Sequence, residues 1–490
     1  MEGIKDGPCV QERVLVVDLD RTLLRVDTLW EQLLSYLHSS PASVLLLVYW
    51  LLQGRARLKH ELGRRCELNP ELLPYREEVL ELVRRERAGG RRVVLATGAD
   101  RSVAERIAAH LGLFSGVLAS EEGRNLKGEA KLMAIRSYLG EEEEFDYIGD
   151  SDADLPVWQV SGRAMVVSPT VRLLRKIKRE RGSRGKVSVV GRRGGRWQSL
   201  VRLARAMRVH QWVKNVLIFV PFVLSHARPN LGDVLVLASA WFSFGLCASA
   251  IYIVNDLLDI SSDRQHPRKR SRPFASGELG IPAGLLLSAG SLGGSVCLVV
   301  GFLPLSYLGL LGLYGFTSLM YSIRLKRMLL VDVITLALLY TLRIFAGGYV
   351  LEIPISNWLL AFSLFFFFSL ALLKRYSELY HVGQKIQGYN NRRNYKREDL
   401  NLLQILGVSS GLLSILVLVL YLQSDVVVQN YTHPRLLWLI APPLLYWINR
   451  LWFLTERGYM RDDPIVFSVK DWMSYLVSLV ILTIFIISSI

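Results

Sequence analysis

Apolar and polar positions change rhythm part-way along the 490-residue chain. Up to about Arg196, short β-branched runs alternate with longer stretches whose apolar residues recur at helical spacing. The runs at residues 14–20 (VLVVDLD), 92–97, 116–120, 145–150 and 164–168 predict buried strands. Helical patterns fill the gaps. Such alternation predicts an α/β, Rossmann-like domain with a doubly wound, mostly parallel sheet, whose ligands sit at the carboxyl ends of the strands. Residues 25–90 are too many for a simple crossover and are helical in pattern, so much of this stretch is expected to form a helical cap over the site. The apolar run at residues 44–52 is too short to cross hydrocarbon and follows the first strand, so it is expected in the cap and no signal peptide is expected.

From about Trp212 the pattern is that of a membrane protein. Apolar runs at residues 212–224, 234–254, 283–303, 305–321, 329–350, 358–373, 402–422, 436–453 and 474–490 give nine candidate transmembrane helices. The connections at residues 264–272, 324–327, 374–397 and 450–470 are basic, and the alternate ones carry almost no positive charge. Lys and Arg mark the cytoplasmic side, which predicts a multi-pass protein of the inner (cytoplasmic) membrane with its soluble domain and active sites facing the cytoplasm. The formal charge of +16 fits this reading. The cations lie in short clusters between apolar runs rather than along one amphipathic face, so nucleic acid is not expected as a partner. Cys9, Cys66, Cys247 and Cys297 are far apart and suggest neither disulfides nor a zinc site.

Chemistry is concentrated in two places. The first strand ends in Asp18-Leu-Asp20-Arg-Thr22, later strands end in Thr97-Gly98 and in Gly149-Asp150-Ser-Asp-Ala-Asp154, and Lys131 lies in a helical stretch between them. Any one of these reads equally well as turn residues at a strand end. Together and in this order they resemble the four motifs of the haloacid dehalogenase phosphohydrolase superfamily, over roughly the first 170 residues. The resemblance implies that Asp18 is the nucleophile forming an aspartyl-phosphate and Asp20 the general acid and base. It also implies Mg2+ held among Asp18, Asp20, Asp150 and Asp154, with Thr22, Thr97 and Lys131 on the phosphoryl oxygens. Arg21 stands where many members have Gly. A domain kept only as a scaffold is the alternative.

The second place is Asn255-Asp256-Leu-Leu-Asp259-Ile-Ser-Ser-Asp263, followed by Gln265-His266-Pro267-Arg-Lys269-Arg-Ser-Arg272-Pro273. The polar acceptors recur at helical spacing, which predicts one helix face, and carboxylates clustered at a membrane boundary need a neutralising partner. Mg2+ bridging to a diphosphate supplies one, and Lys269 and Arg272 can grip the remaining oxygens. This string, continuing through Ser276 and Gly277, resembles the first aspartate-rich motif of the UbiA prenyltransferase superfamily. That resemblance covers about Arg205 to the C-terminus and implies Asp256 and Asp259 in catalysis, with Asp263 as a further metal ligand.

The second acidic motif usual in aromatic prenyltransferases is missing. In its place stands Tyr321-Ser322-Ile-Arg324-Leu-Lys326-Arg327, basic overall, with Asp332 the nearest acid. This stretch, with Arg343 one helical stretch later, is similar to the decaprenyl-phosphate phosphoribosyltransferase branch. The resemblance implies phosphoribosyl pyrophosphate and a polyprenyl phosphate as substrates, with Asn255, Tyr321, Lys326 and Arg343 among the binding residues. The expected organisation is a phosphohydrolase domain at residues 1–170, a basic linker at the membrane surface at 171–204 and a transferase domain at 205–490. A cell-wall precursor would then be phosphoribosylated and dephosphorylated by one bifunctional chain. The rival reading is a conventional quinone-type aromatic prenyltransferase, and a homo-oligomer is left open.

Overall fold

The computed structural model describes residues 13–39, 43–122, 124–182, 186–191, 194–225, 230–383, 394–424, 427, 431–460 and 463–489. The chain folds as two compact units. One contains residues 1–206 together with 256–286, the other residues 207–255 together with 287–490.

The first unit is built on six parallel strands, β1 (Val14–Val17), β2 (Val93–Asp100), β3 (Gly116–Ser120), β4 (Phe145–Gly149), β5 (Ala164–Val167) and β6 (Val187–Val190), in the order β3-β2-β1-β4-β5-β6. Side chains alternate faces along each strand. Leu15 and Val17 of β1 therefore pack with Val79, Val83, Val103 and Ile107 on one side, while Val14 and Val16 pack with Ile135, Trp158 and Ile177 on the other. The helices supplying those residues are α4 (Glu77–Ala88) and α5 (Arg101–Leu111) on the first face, and α6 (Glu129–Leu139), α7 (Leu155–Val160) and α8 (Val171–Arg181) on the second. Ahead of them α1 (Thr28–Ser39), α2 (Val44–Leu52) and α3 (Arg55–Arg65) form the expected helical cap, with a separate small core of Tyr36, Leu47, Trp50, Leu58, Leu62 and Cys66.

The stretch read from its composition as linker is partly folded. Residues 171–181 are α8, and Val187–Val190 pairs in parallel with β5 as the sixth strand. Arg172, Arg175, Lys176, Lys178 and Arg179 cover the outside of α8, whose Leu173 and Ile177 are buried in the domain core and whose Arg181 is buried against Ser161. The helix α9 (Arg196–Ala206) then carries the chain onward.

The second unit is helical. Its elements are α10 (Val220–Leu224), most of α11 (Leu231–Leu258), α13 (Ile281–Phe302, shared with the first unit), α14 (Tyr307–Ile323), α15 (Val331–Val350), α16 (Asn357–Gly383), α17 (Leu400–Leu422), α18 (Ala441–Glu456), α19 (Pro464–Ser468) and α20 (Trp472–Ser489), while α12 (Ile260–Gln265) belongs to the first unit. Among the described residues six helices are long and apolar enough to cross a membrane, not nine. Residues 209–224 and Tyr307–Ile323 are apolar but shorter. The run expected at 436–453 begins as a 3-10 turn, Pro434–Ile440, and continues as α18; Pro442 and Pro443 fit the first turn of that α-helix, where a missing N–H costs nothing.

Candidate functional sites

In the sheet order above, the crossovers leave in opposite directions from β1 and β4, which opens a crevice at their carboxyl ends. Val17 pairs with Leu95 on one side and Ile148 on the other. The residues just beyond, Asp18, Thr97 and Asp150, therefore emerge at one edge. Oxygen atoms of Asp18, Asp150 and Asp154 lie within 4.8 Å of one another.

Lys131, delivered from α6 and 5% exposed, donates to Asp18 Oδ1 at 2.8 Å and Asp154 Oδ1 at 3.0 Å. Burial works against its ammonium, yet those two carboxylates hold it above the usual lysine range. Burial also pushes the Asp18 carboxyl up to about 6 despite Lys131, and it pushes Asp150 up to about 8 with Asp18 and Asp154 adding repulsion. Three carboxylates with one lysine leave an excess of negative charge in a buried place, and a divalent cation is the partner that relieves it. The donor set fits Mg2+, which Asp18 and Asp150 would hold, while Asp154 accepts from the Asp150 and Ser151 N–H groups.

Asp20 lies apart from that trio. Its Oδ1 accepts from the Thr28 N–H at 2.8 Å, at the first turn of α1, and burial, then the Asp27 carboxylate, pushes its carboxyl up to about 7. A carboxyl that titrates near neutrality suits proton transfer better than metal ligation. Thr22 Oγ1 donates to Asp18 Oδ2 at 3.3 Å, and Thr97, fully buried, accepts from the Ala99 N–H at 3.0 Å. Arg21 has φ +58°, a left-handed backbone in which a side chain is strained. Arg76 steadies that turn by donating to the Arg21 carbonyl at 3.2 Å and to Ser168 at 3.3 Å.

Two residues escaped sequence reasoning here. Tyr147, on the strand β4, donates to Asp154 Oδ1 at 2.7 Å and completes the Lys131 network. Lys59 of the cap helix α3 reaches the Gly98 carbonyl and Asn125. Burial lowers its ammonium while Asp20 and Asp27 pull the other way. A cap lysine has no strand-end signature, and Tyr147 reads as an ordinary core aromatic.

The aspartate-rich string does not form one continuous helix face. α11 ends at Leu258, and Asp259 is the N-cap of the short α12. Asp256 and Asp263 nonetheless meet at one cation: Arg272 Nη1 lies 3.0 Å from Asp256 and 2.6 Å from Asp263, both carboxylates being nearly buried. Among the described residues Asp256, Asp259 and Asp263 do not converge as tightly as the first trio. Asp259 is half-buried, Lys269 is exposed, and Asn255 Oδ1 is buried with no hydrogen-bond partner among the described residues. One guanidinium on two buried carboxylates leaves negative charge that a divalent cation can neutralise.

In the second unit Arg343 is 4% exposed. It donates to Asn215 Oδ1 at 3.0 Å, to Tyr314 OH at 3.0 Å and to the Leu339 carbonyl, with Phe244 and Tyr340 rings against its guanidinium. Tyr321 accepts from Arg375 at 3.3 Å, and Lys326 is half-buried in the turn after α14. Asp332 is fully buried, ion-paired to Arg375 Nε at 2.8 Å and accepting from Tyr395 at 2.6 Å. A further cluster brings together residues far apart in the sequence. Asp463 accepts from both Lys214, at 2.8 Å, and Lys374, at 3.0 Å, and the Asn215 amide nitrogen is buried without a hydrogen-bond partner among the described residues. Two ammoniums on one carboxylate leave positive charge to spare.

Residues 216–479 match the UbiA prenyltransferase family. The chain belongs to that family. Residues 15–159 match the haloacid dehalogenase-like hydrolases, so a UbiA-family transferase is fused here to a second enzyme-type domain. An uncharacterized protein of Sinorhizobium fredii is 35% identical over 99% of this chain and 93% of its own length. Nodulation protein NoeC of Azorhizobium caulinodans is 34% identical over 55% of this chain and 87% of its own. Decaprenyl-phosphate phosphoribosyltransferase of Mycobacterium tuberculosis is 34% identical over 37% of this chain, and the match spans 61% of that protein.

Proposed function

We propose that the protein transfers 5-phosphoribose from phosphoribosyl pyrophosphate to a polyprenyl phosphate and that its N-terminal domain then removes the 5-phosphate from the lipid product. The observation that carries the transferase reading is Asp332. A prenyl diphosphate in a conventional aromatic prenyltransferase needs a second acidic site, and the one acid in residues 321–333 is fully buried and committed to Arg375 and Tyr395. The relatives named for phosphoribosyl transfer point the same way.

Asp256, Asp259 and Asp263 would hold Mg2+, which supplies charge neutralisation of the departing pyrophosphate. Arg272, already seated on Asp256 and Asp263, would grip the diphosphate oxygens, with Asn255 and Lys269 as further donors or acceptors to the donor substrate. An acceptor monophosphate needs cations more than carboxylates. Lys214 and Lys374 answer that need better than Arg343, whose donors are spent within the protein; Tyr321 and Lys326 remain candidates for the ribose phosphate. The basic loops support a reading in which these sites face the cytoplasm from the inner membrane.

In the N-terminal domain Asp18 would attack the ribose phosphate and Asp20 protonate the leaving oxygen. Mg2+ on Asp18 and Asp150 would offset the charge that builds on the phosphoryl group. Thr22, Thr97 and Lys131 would hold the phosphoryl oxygens, and Lys59 would bring the cap's positive charge to the leaving sugar.

The test incubates the purified protein in detergent with Mg2+, radiolabelled phosphoribosyl pyrophosphate and a polyprenyl monophosphate. Label in the organic phase, lost in Asp256→Asn, supports the transferase. No label, with transfer instead from a prenyl diphosphate to an aromatic acid, overturns it. Phosphate release from the labelled lipid that persists in Asp18→Asn overturns the phosphatase reading.

A further inference from the structure

Residues 256–286, the segment that holds the aspartate-rich motif, pack in the same compact unit as the phosphohydrolase domain, and the contact between them is specific. Arg264, the residue after Asp263 on α12, donates through Nη2 to Glu31 Oε1 at 2.7 Å and through Nη1 to Glu31 Oε2 at 3.1 Å. This fork is bidentate, and both side chains are 7% exposed. Arg264 Nε in turn donates to the Ala275 carbonyl at 2.9 Å, so the guanidinium is fixed on its own segment as well. A second contact lies alongside. Gly277 has φ +71°, and a Cβ there would stand 2.8 Å from Arg25 Cβ and 3.1 Å from Val26 Cγ1, in the turn that leads into α1.

Glu31 sits in the first turn of α1, the same turn whose Thr28 N–H donates to Asp20 Oδ1 at 2.8 Å. One rigid turn of helix therefore joins the buried ion pair to the carboxyl that would move the proton. An ion pair that lacks water around it holds geometry more firmly than one at the surface, and removing one partner leaves the other charge buried alone.

We infer that Arg264, a residue of the membrane transferase's aspartate-rich segment, is a positioning residue of the phosphatase: through Glu31 it fixes the first turn of α1 and with it the Thr28 N–H that orients Asp20. The inference rests on the phosphatase reading above for its kinetic consequence, though not for its structural one. It also gives the fusion a physical content beyond proximity, because the turn that orients Asp20 is held by the segment that serves the other reaction.

The test uses the full chain in detergent with Mg2+ and p-nitrophenyl phosphate, alongside hydrogen exchange of the peptide covering residues 28–39. In Arg264→Met and in Glu31→Gln, kcat is expected to fall about tenfold with KM unchanged, because a carboxyl out of line costs rate rather than binding. Exchange of the α1 amides rises in both. The double variant is expected to be no worse than either single one, since both remove the same contact. Arg264→Lys, which keeps the charge and loses the fork, falls between. Additive losses, a kcat in the two single variants equal to that of an active wild type, or unchanged exchange across residues 28–39 each overturn the inference. A wild-type protein that releases no phosphate sinks the phosphatase reading instead, and the exchange measurement then decides the positioning of α1 by itself.

Discussion

Asp150, Asp18 and Asp20 share a property that a free carboxylate lacks: burial raises each of them, to about 8, 6 and 7. In the unfolded chain all three would titrate near the ordinary value of 3.8. Between that value and these, the folded protein holds protons that the unfolded chain has released, so without a bound cation these groups cost stability progressively as pH rises from about 4 to about 8. Asp154, held low by Lys131 and the Tyr147 hydroxyl against its own burial, pulls the other way but only at the acid end. Mg2+ binds the ionised carboxylates, so it competes with those protons. Thermal unfolding followed in detergent should therefore show a larger stabilisation by Mg2+ near about pH 8 than near about pH 5, with the difference abolished in Asp150→Asn. Equal Mg2+ effects at both pH values would count against this carboxylate cluster as the metal site. At this scale the sequence was informative where chemistry and chain geometry coincide. Asp18, Thr97 and Asp150 follow apolar runs directly, and the sheet brings strand ends together by construction. Lys214 and Asp463 are 249 positions apart, and no periodicity links such a pair.

Helices of the second unit approach one another through small residues, as membrane helices must when lipid gives no hydrophobic drive to associate. Gly407 of α17 faces Trp452 of α18 so closely that a Cβ would stand 2.0 Å from the indole Cζ2, and at Gly411, one turn on, it would stand 2.7 Å from Ile448 Cγ2. The indole N–H of Trp452 also reaches Ser369 on α16, so the ring cannot swing away without losing a buried hydrogen bond. Gly407→Leu should lower the stability of the folded protein by about 1–3 kcal/mol through overpacking, read as a lower unfolding midpoint in detergent, while Gly290→Leu, where nothing lies within 4 Å, should leave it unchanged. Element boundaries show why part of the fold was legible and part was not. Apolar rhythm located five strands and the cap, because each buries a regular face. It missed β6, whose four residues VSVV lie within a stretch dominated by Arg, Lys and Gly and are only half-buried at the sheet edge. It also carried the aspartate-rich motif along one helix, whereas the chain turns at Asp259, where α11 ends and α12 begins.

At the scale of the whole molecule, two reactions on one chain make a kinetic claim. The proposed transferase product carries a ribose 5-phosphate, and the phosphatase tethered to the same chain meets it at an effective concentration set by the tether rather than by the amount of enzyme. Asp18→Asn should make the phosphorylated lipid and stop there, and Asp256→Asn should make nothing yet still hydrolyse phosphorylated lipid supplied to it. Reconstituted together in the same vesicles, the two variants should yield dephosphorylated product with a lag that shortens as protein density rises, because the intermediate must diffuse between molecules. Wild-type protein at the same density should show no such dependence. In separate vesicles the pair should give only the phosphorylated lipid, since a polyprenyl chain does not leave its bilayer readily. Equal rates for the mixed variants and the wild type, at every density, would mean that the two centres work independently and that fusion serves some purpose other than handing on the intermediate. The docking of α1 on the aspartate-rich segment adds a sharper expectation: in the Asp256→Asn partner, where Arg264 and Glu31 are untouched, the phosphatase rate on supplied lipid should equal that of the wild type, so that any lag in the mixture measures transfer between molecules and not a weakened second site.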